Sequence, residues 1–212
     1  MTEATTKLAT PTLVGRHVRL EALELGHAAA LLAAADESRA TYAWTFVPGD
    51  LAGMEAYVAT ALAERDAGQS VPFVVRDAAG VVVGSTRFMC IEHWKWWGGA
   101  PPAPLPEGPD AVEIGFTWYA ERVQRTALNT EAKLLLCTHA FERWKVRRVT
   151  WKTDSRNERS RAAIARLGAR LDGVLRAHRP AADNTVRSTA FFSMLAEEWP
   201  EARQNLLRRL ER

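Results

Sequence analysis

AVEIGFTWYAERVQRTALNTEAKLLL, residues Ala111 to Leu136, carries the chain from a strand through a turn into a helix. Val112, Ile114, Phe116 and Trp118 alternate with Glu113, Gly115, Thr117 and Tyr119, the two-residue period of a strand. Farther on, Leu134, Cys137, Phe141 and Trp144 recur at helical spacing, so a helix is expected from about Thr130 to Trp144. The turn between them, Gln124 to Thr130, admits two readings. Backbone N–H groups at a helix N-terminus, helped by the helix dipole, hold phosphate. A turn that wraps a pyrophosphate needs small residues for close backbone approach. Ala127 is small, and Asn129 tolerates a left-handed conformation. The plain alternative is a connection capped by Asn129 or Thr130.

Outward from this stretch the patterns are regular. HVRLEAL (His17 to Leu23) alternates as a half-buried strand, and HAAALLAAAD and LAGMEAYVATALAERDAG read as helices, the second stopped by Gly68. VPFVVRD and VVVGSTRFMCIE form a hairpin around AAG. HWKWWGGAPPAPLPEGPD, from His93 to Asp110, is crowded with Trp, Gly and Pro and leaves the sheet as an excursion. RRVTWKTD is a strand, ERSRAAIARLG a short helix closed by Gly168, and RLDGVLRAHR and VRSTAFFSML a closing pair of strands. The tail from Glu197 is a charged amphipathic helix, and residues 1–12 are expected to be a flexible N-terminal tail. This order predicts an α/β fold with a mixed, mostly antiparallel central sheet of six to seven strands, helices on both faces, in one domain over 1–212.

Composition narrows the class. A content of 47% apolar and 25% charged residues over 212 positions is that of a globular protein with a real core. No stretch approaches the roughly 18 uninterrupted apolar residues of a membrane span, and the polar start lacks the order of a signal peptide. A cytoplasmic protein is expected. Cys90 and Cys137 have no CxxC partner and are expected to be buried small apolar side chains, and the scattered histidines predict no metal site. The net charge of +3 permits an anionic ligand but is too weak to argue for nucleic acid.

A second constellation, DSRNERSRAAIARLGA (Asp154 to Ala169), places Asn157 between a strand and a helix, with Ser160 three residues on. Alone it reads as a helix cap. In order on consecutive strand–helix units, the two stretches resemble the GNAT superfamily of N-acetyltransferases, most closely its RimJ/RimL-like branch. The family's first signature, Gln or Arg, two residues, Gly, one residue, Gly or Ala, falls on Gln124, Ala127 and Asn129, with both glycine positions replaced. Its second, Asn-x-x-Ser and a short helix ending in Leu-Gly, falls on Asn157, Ser160, Leu167 and Gly168. The early VRLEAL strand and the late GVLR and FFSML strands also fit, so the resemblance covers nearly the whole chain.

The resemblance implies acetyl-CoA as cosubstrate, in the wedge between the AVEIGFTWY and RRVTWKTD strands. It assigns the pyrophosphate to Gln124 and the backbone of Arg125, Thr126, Ala127, Leu128, Asn129 and Thr130. Phe116 and Trp118 would pair their backbone with the pantetheine arm, and Asn157 would bond it farther along, with Ser160 and Arg161 nearby. Arg125, Arg156, Arg159 and Arg161 would cluster near the phosphates of this polyanion, unless they form a solvated basic face.

Direct acetyl transfer to an amine needs a base, a donor for the thioester oxygen and a proton for the leaving thiolate. Glu113 is the first candidate base, directly or through a water, although it is also placed to pair with an arginine of a neighbouring strand. Glu92 and His93 are second choices. Many relatives place a proton-donating tyrosine where this chain has Ile164, which leaves Ser160, Tyr119 or water for that role. Trp94, Trp96 and Trp97 form an apolar or cation-binding wall for the acceptor, or else cover the core. The acceptor is a small-molecule amine or a protein N-terminus. The other readings are an acyl-CoA-binding module without catalysis and, last, a nucleic-acid-binding domain, for which no recognition helix or aromatic sheet motif is present. Neither metal, membrane nor nucleic acid is expected as a partner, and the oligomeric state, a homodimer included, stays open.

Overall fold

In the computed structural model, which describes residues 8–99 and 108–211, eight strands and five α-helices follow the expected order. The chain divides into two compact units, Met1–Met89 with Gly115–Ala132, and Cys90–Ile114 with Lys133–Arg212.

The first unit is an antiparallel run of β1 (Leu13–Val14), β2 (Val18–Ala22), β3 (Ser70–Asp77) and most of β4 (Val82–Glu92). Alternation is clean where one face is wet: Val18 and Leu20 of β2 are buried and Arg19 is exposed. In β3 every residue from Ser70 to Val75 is buried, as suits a strand covered on both faces. Two helices pack here, α1 (Ala28–Asp36) and α2 (Leu51–Asp66). Asp50 caps α2 by accepting from Gly53 N at 2.7 Å, and Gly68 follows at φ 72°, the left-handed stop its sequence position predicts. The unit also holds the end of β5 (Ala111–Tyr119) and the start of α3 (Ala127–Thr138). Glu131 of α3 clips the β1–β2 turn, its carboxylate accepting from the backbone of Arg16 at 2.8 Å and of His17 at 2.5 Å.

The second unit contains β6 (Arg148–Asp154), α4 (Glu158–Ala165), β7 (Arg170–Pro180), β8 (Val186–Leu195) and α5 (Trp199–Leu210). Here β5 runs parallel to β6, from Ala111 opposite Arg148 to Glu113 opposite Thr150. β6 then pairs antiparallel with β8, and β8 with β7. Hydrogen bonding orders the strands β1-β2-β3-β4-β5-β6-β8-β7. The amphipathic tail helix α5 buries Trp199, Ala202 and Leu206, and Trp199 stacks on Phe141 at 5.5 Å.

The fold class is therefore the mixed, mostly antiparallel α/β arrangement expected, with two differences. The sheet has eight strands rather than six to seven, because β1 is two residues long and two residues show no period. α3 starts at Ala127, three residues earlier than read from the pattern, and its last stretch, His139–Arg143, is a π-helical turn. Of the expected N-terminal tail, residues 1–7 lie outside the described part, and residues 8–12 form neither helix nor strand.

Candidate active site

In the first unit, close backbone approach sets the end of β5. Ala120 N donates to Val83 O at 2.7 Å, and a Cβ on Gly84 would stand 2.1 Å from Trp118 O. Phe116 sits at φ 48° and leaves the apolar stripe assigned to it: the residue is 38% exposed, whereas Val112, Ile114 and Trp118 are buried. A positive φ at a non-glycine residue is a local irregularity that alternation cannot foretell.

The turn after β5 is built by side chains. Gln124 Nε2 donates to Tyr119 O at 2.8 Å, and Tyr42 Oη donates to the same carbonyl at 3.1 Å. Arg125, not Asn129, takes the left-handed conformation, at φ 62°. Thr126 closes the turn: its hydroxyl donates to Val123 O at 2.7 Å and accepts from Leu128 N at 3.3 Å. Asn129 and Thr130, the expected caps, lie inside the helix, so the capping place belongs to Thr126. The first N–H groups of α3 still have no carbonyl one turn back, which makes this end an anion acceptor, with the Arg125 side chain exposed beside it.

Tyr119 is buried and its hydroxyl meets no partner among the described residues. Desolvation pushes its pKa well up, which makes it a poor acid.

In the second unit, Glu113 is 5% exposed, and its Oε2 lies 2.7 Å from Lys152 Nζ of β6. The contact is ionic, short but poorly aligned as a hydrogen bond. The neighbouring-strand cation is thus a lysine, not an arginine. Lys152 also approaches Cys90 Sγ at 3.8 Å and the Phe191 ring at 5.2 Å. Burial opposes its charge, but the Glu113 carboxylate beside it prevails, and its pKa lies above the usual 10.5. Cys90, expected to be buried, is exposed and at φ 46°, while Cys137 is buried as expected. Partial burial, then the Glu113 charge, pushes the Cys90 thiol up, the opposite of what an attacking thiolate needs.

Glu92 is committed elsewhere, accepting from Trp94 Nε1 at 2.8 Å and pairing with Arg148 at 3.1 Å; His93 is exposed. Trp94, Trp96 and Trp97 are exposed and do not cover core, Trp97 to 89%. Each already meets a cation of its own chain: Arg148 lies 5.5 Å from the Trp94 ring, Arg147 5.2 Å from Trp96 and Lys95 5.0 Å from Trp97. Residues 100–107 of the excursion lie outside the described part.

Asn157 caps α4, its Oδ1 accepting from Ser160 N at 3.0 Å, and Gly168 closes the helix region at φ 101°. Arg161 donates to Ser155 O at 3.2 Å. Arg156 leaves the expected phosphate-facing cluster, held by Asp154 at 2.8 Å and Asp183 at 3.0 Å. Hydrogen bonds from Thr185, then from Arg156, bring the Asp183 carboxyl down to about 2. Lys152, Arg147 and Arg148 are neighbours that the sequence did not single out; only the three-dimensional register brings them to their partners. The sequence points to Thr126 for its backbone alone, not for its hydroxyl's part in the turn.

Residues 17–170 match the family described as the Acetyltransferase (GNAT) domain. The chain belongs to the GNAT family. This GNAT protein is an acyltransferase by descent. A GCN5-related N-acetyltransferase from Brucella melitensis is 29% identical, with a TM-score of 0.79 over 96% of this chain and 87% of that one. A proposed acetyltransferase from T. thermophilus is 32% identical, with a TM-score of 0.77 over 96% of this chain and 99% of that one. Mycobacterium smegmatis RimJ, in complex with CoA-disulfide, shares the fold at 20% identity, with a TM-score of 0.77 over 94% of this chain and 95% of that one. No curated protein sequence matches. Among the described residues no group of three His, Cys, Asp or Glu is placed to hold a metal ion, and no helix is long and apolar enough to cross a membrane.

Proposed function

We propose that this GNAT protein moves an acetyl group directly from acetyl-CoA to a primary amine, of a small molecule or of a protein N-terminus. The observation that carries the reading is the start of α3: a side-chain-built turn presents helix N–H groups and the exposed Arg125 where a GNAT chain is expected to take pyrophosphate. Gln124 to Thr130 would hold that group through the backbone, while Gln124's own amide keeps the turn closed on Tyr119 O. Phe116 and Trp118 would offer backbone to the pantetheine arm. Asn157, whose Oδ1 is spent on the cap, would use its amide N–H groups, with Ser160 and Arg161 beside it. Acetyl-CoA supplies the thioester-activated acyl group.

On this reading Glu113 takes the ammonium proton, directly or through one water, and Lys152 fixes its carboxylate. Ser160 or water returns a proton to the leaving thiol, since burial holds the Tyr119 proton too tightly. The profile match runs over 17–170, through parts of both compact units, which supports treating 1–212 as one GNAT domain. A cytoplasmic setting belongs to the same reading.

The test is release of free thiol from acetyl-CoA across amino acids, peptide N-termini, polyamines and aminoglycosides. Turnover with at least one class is expected, and Glu113→Gln should lower kcat/KM by about a hundredfold. The ion pair that engages Glu113 favours a second reading, an acyl-CoA-binding module without turnover. Thermal stabilisation by CoA with no thiol release from any amine would establish it.

A further inference from the structure

Arg87 of β4, opposite Pro72 of β3, is 2% exposed, the largest of the fully buried side chains. A buried guanidinium is costly unless its N–H groups find acceptors. Arg87 Nη1 donates to Glu64 at 2.7 Å, but Arg87 Nε is buried without an acceptor among the described residues. Tyr57 stands beside it, its ring 5.4 Å from the guanidinium carbon, and its buried hydroxyl is likewise without a partner. Tyr57 and Glu64 are two helical turns apart on α2, hence on one face. On another side lies the Phe116 ring, 4.2 Å from the guanidinium carbon, partly exposed and on left-handed backbone.

We propose that Arg87 and Tyr57 recognise a carboxylate on the acceptor, and that Phe116 is the ring that turns aside to admit it. The site deepens the acetyltransferase reading and rests on it for the amine. A guanidinium edge matches the two oxygens of a carboxylate in a way that an ammonium cannot, and a neighbouring hydroxyl donor completes the set. A purely structural position would favour either a fully bonded arginine or an apolar side chain, because a half-satisfied buried charge is the least stable choice. The single carboxylate Glu64 leaves this arginine half satisfied. Phe116 covers the same group with the one side chain of β5 that departs from the core stripe. The carboxylate comes either from a free amino acid or from an acidic first residue of a peptide.

Thiol release from acetyl-CoA is measured with free amino acids against their C-terminal amides, and with peptide amides beginning in Asp or Glu against Asn or Gln. Thermal stabilisation by the same compounds, with CoA present, is read in parallel. We expect one carboxylate-bearing series to exceed its amide partners at least tenfold in kcat/KM, and which series does so names the source. Tyr57→Phe should shrink that ratio severalfold, mainly through KM, and Arg87→Met should abolish it; Tyr57→Phe removes a single unbonded oxygen and serves if Arg87→Met does not fold. Equal turnover of acids and amides, or a ratio that Tyr57→Phe leaves intact, overturns the proposal while the acetyltransferase reading stands. Stabilisation by carboxylates alone, lost in Tyr57→Phe but without turnover of any amine, upholds the site and sinks that reading. Neither turnover nor carboxylate-dependent stabilisation overturns both.

Discussion

Glu113 is buried and Lys152 half-buried, and their two charges answer each other at 2.7 Å. Breaking such a pair by removing one partner costs more than the pair contributes, because the other charge is left unpaired. Lys152→Met should therefore destabilise the fold by about 1–2 kcal/mol, between the values for exposed and for fully buried pairs, and adding Glu113→Gln should recover part of that loss, as read from urea unfolding of the four proteins in the cycle. The sign of the pH effect is fixed by the direction of the Lys152 shift. A lysine with a raised folded pKa stabilises fully below its unfolded value near 10.5, and that contribution fades as pH climbs through the raised value. The residue types were legible in the sequence: an acid on the β5 strand, and an Asn at the start of α4. Their partners were not. Glu113 meets Lys152 only because β5 and β6 run parallel in one particular register, and no local pattern specifies register between strands so far apart in sequence.

At the level of elements, periodicity identified seven of the eight strands and all five helices, and it failed where a single bond decides. α3 begins early because the Thr126 hydroxyl bridges Val123 O and Leu128 N, a choice made by geometry, since Thr126, Asn129 and Thr130 are all residue types that cap helices. The positive φ of Phe116 and the close approach of Gly84 to the Trp118 backbone are both features that the composition of β5 does not disclose. Two predictions belong to this scale. Gly84→Ala would drive a methyl group against Trp118 O, and its Cβ cannot be accommodated without moving a strand. We expect a loss of about 3 kcal/mol or more, or an insoluble product. Glu131→Ala should cost about 2 kcal/mol, since two backbone donors of the β1–β2 turn lose their acceptor. Faster amide exchange at Arg16 and His17 would report it, whereas unchanged exchange there would show that the clip contributes nothing.

For the whole molecule, pH exposes what burial has done to α3. Lys133 is buried, and desolvation brings its pKa down to about 7, while the Cys137 thiol is pushed up to about 12. Between pH 7 and 9 the unfolded chain holds a proton on Lys133 that the folded chain has released, so stability should rise with pH by about 1 kcal/mol per unit. Above pH 9 the unfolded chain begins to lose the Cys137 proton that the folded chain keeps, and the gain is opposed. Denaturation midpoints across this range would check the shape. Lys133→Met should flatten the rise; an unchanged or steeper rise would contradict the assignment. The order of elements and the two signature stretches made the fold class and family readable. The acceptor was not, since it depends on which side chains of distant segments close around one point.

The turn from Gln124 to Thr126 also bears on which substitutions the site can absorb. Its shape is held by a side-chain amide on Tyr119 O and a hydroxyl on Val123 O, with an arginine accepting the left-handed backbone. Where the family signature has glycine, this chain cross-braces the turn with side chains. Reintroducing the family's glycine at Ala127 would then loosen the first turn of α3 without freeing any space the chain is short of. Passing from the braced turn to the glycine one a single residue at a time would go through forms that have neither support in full.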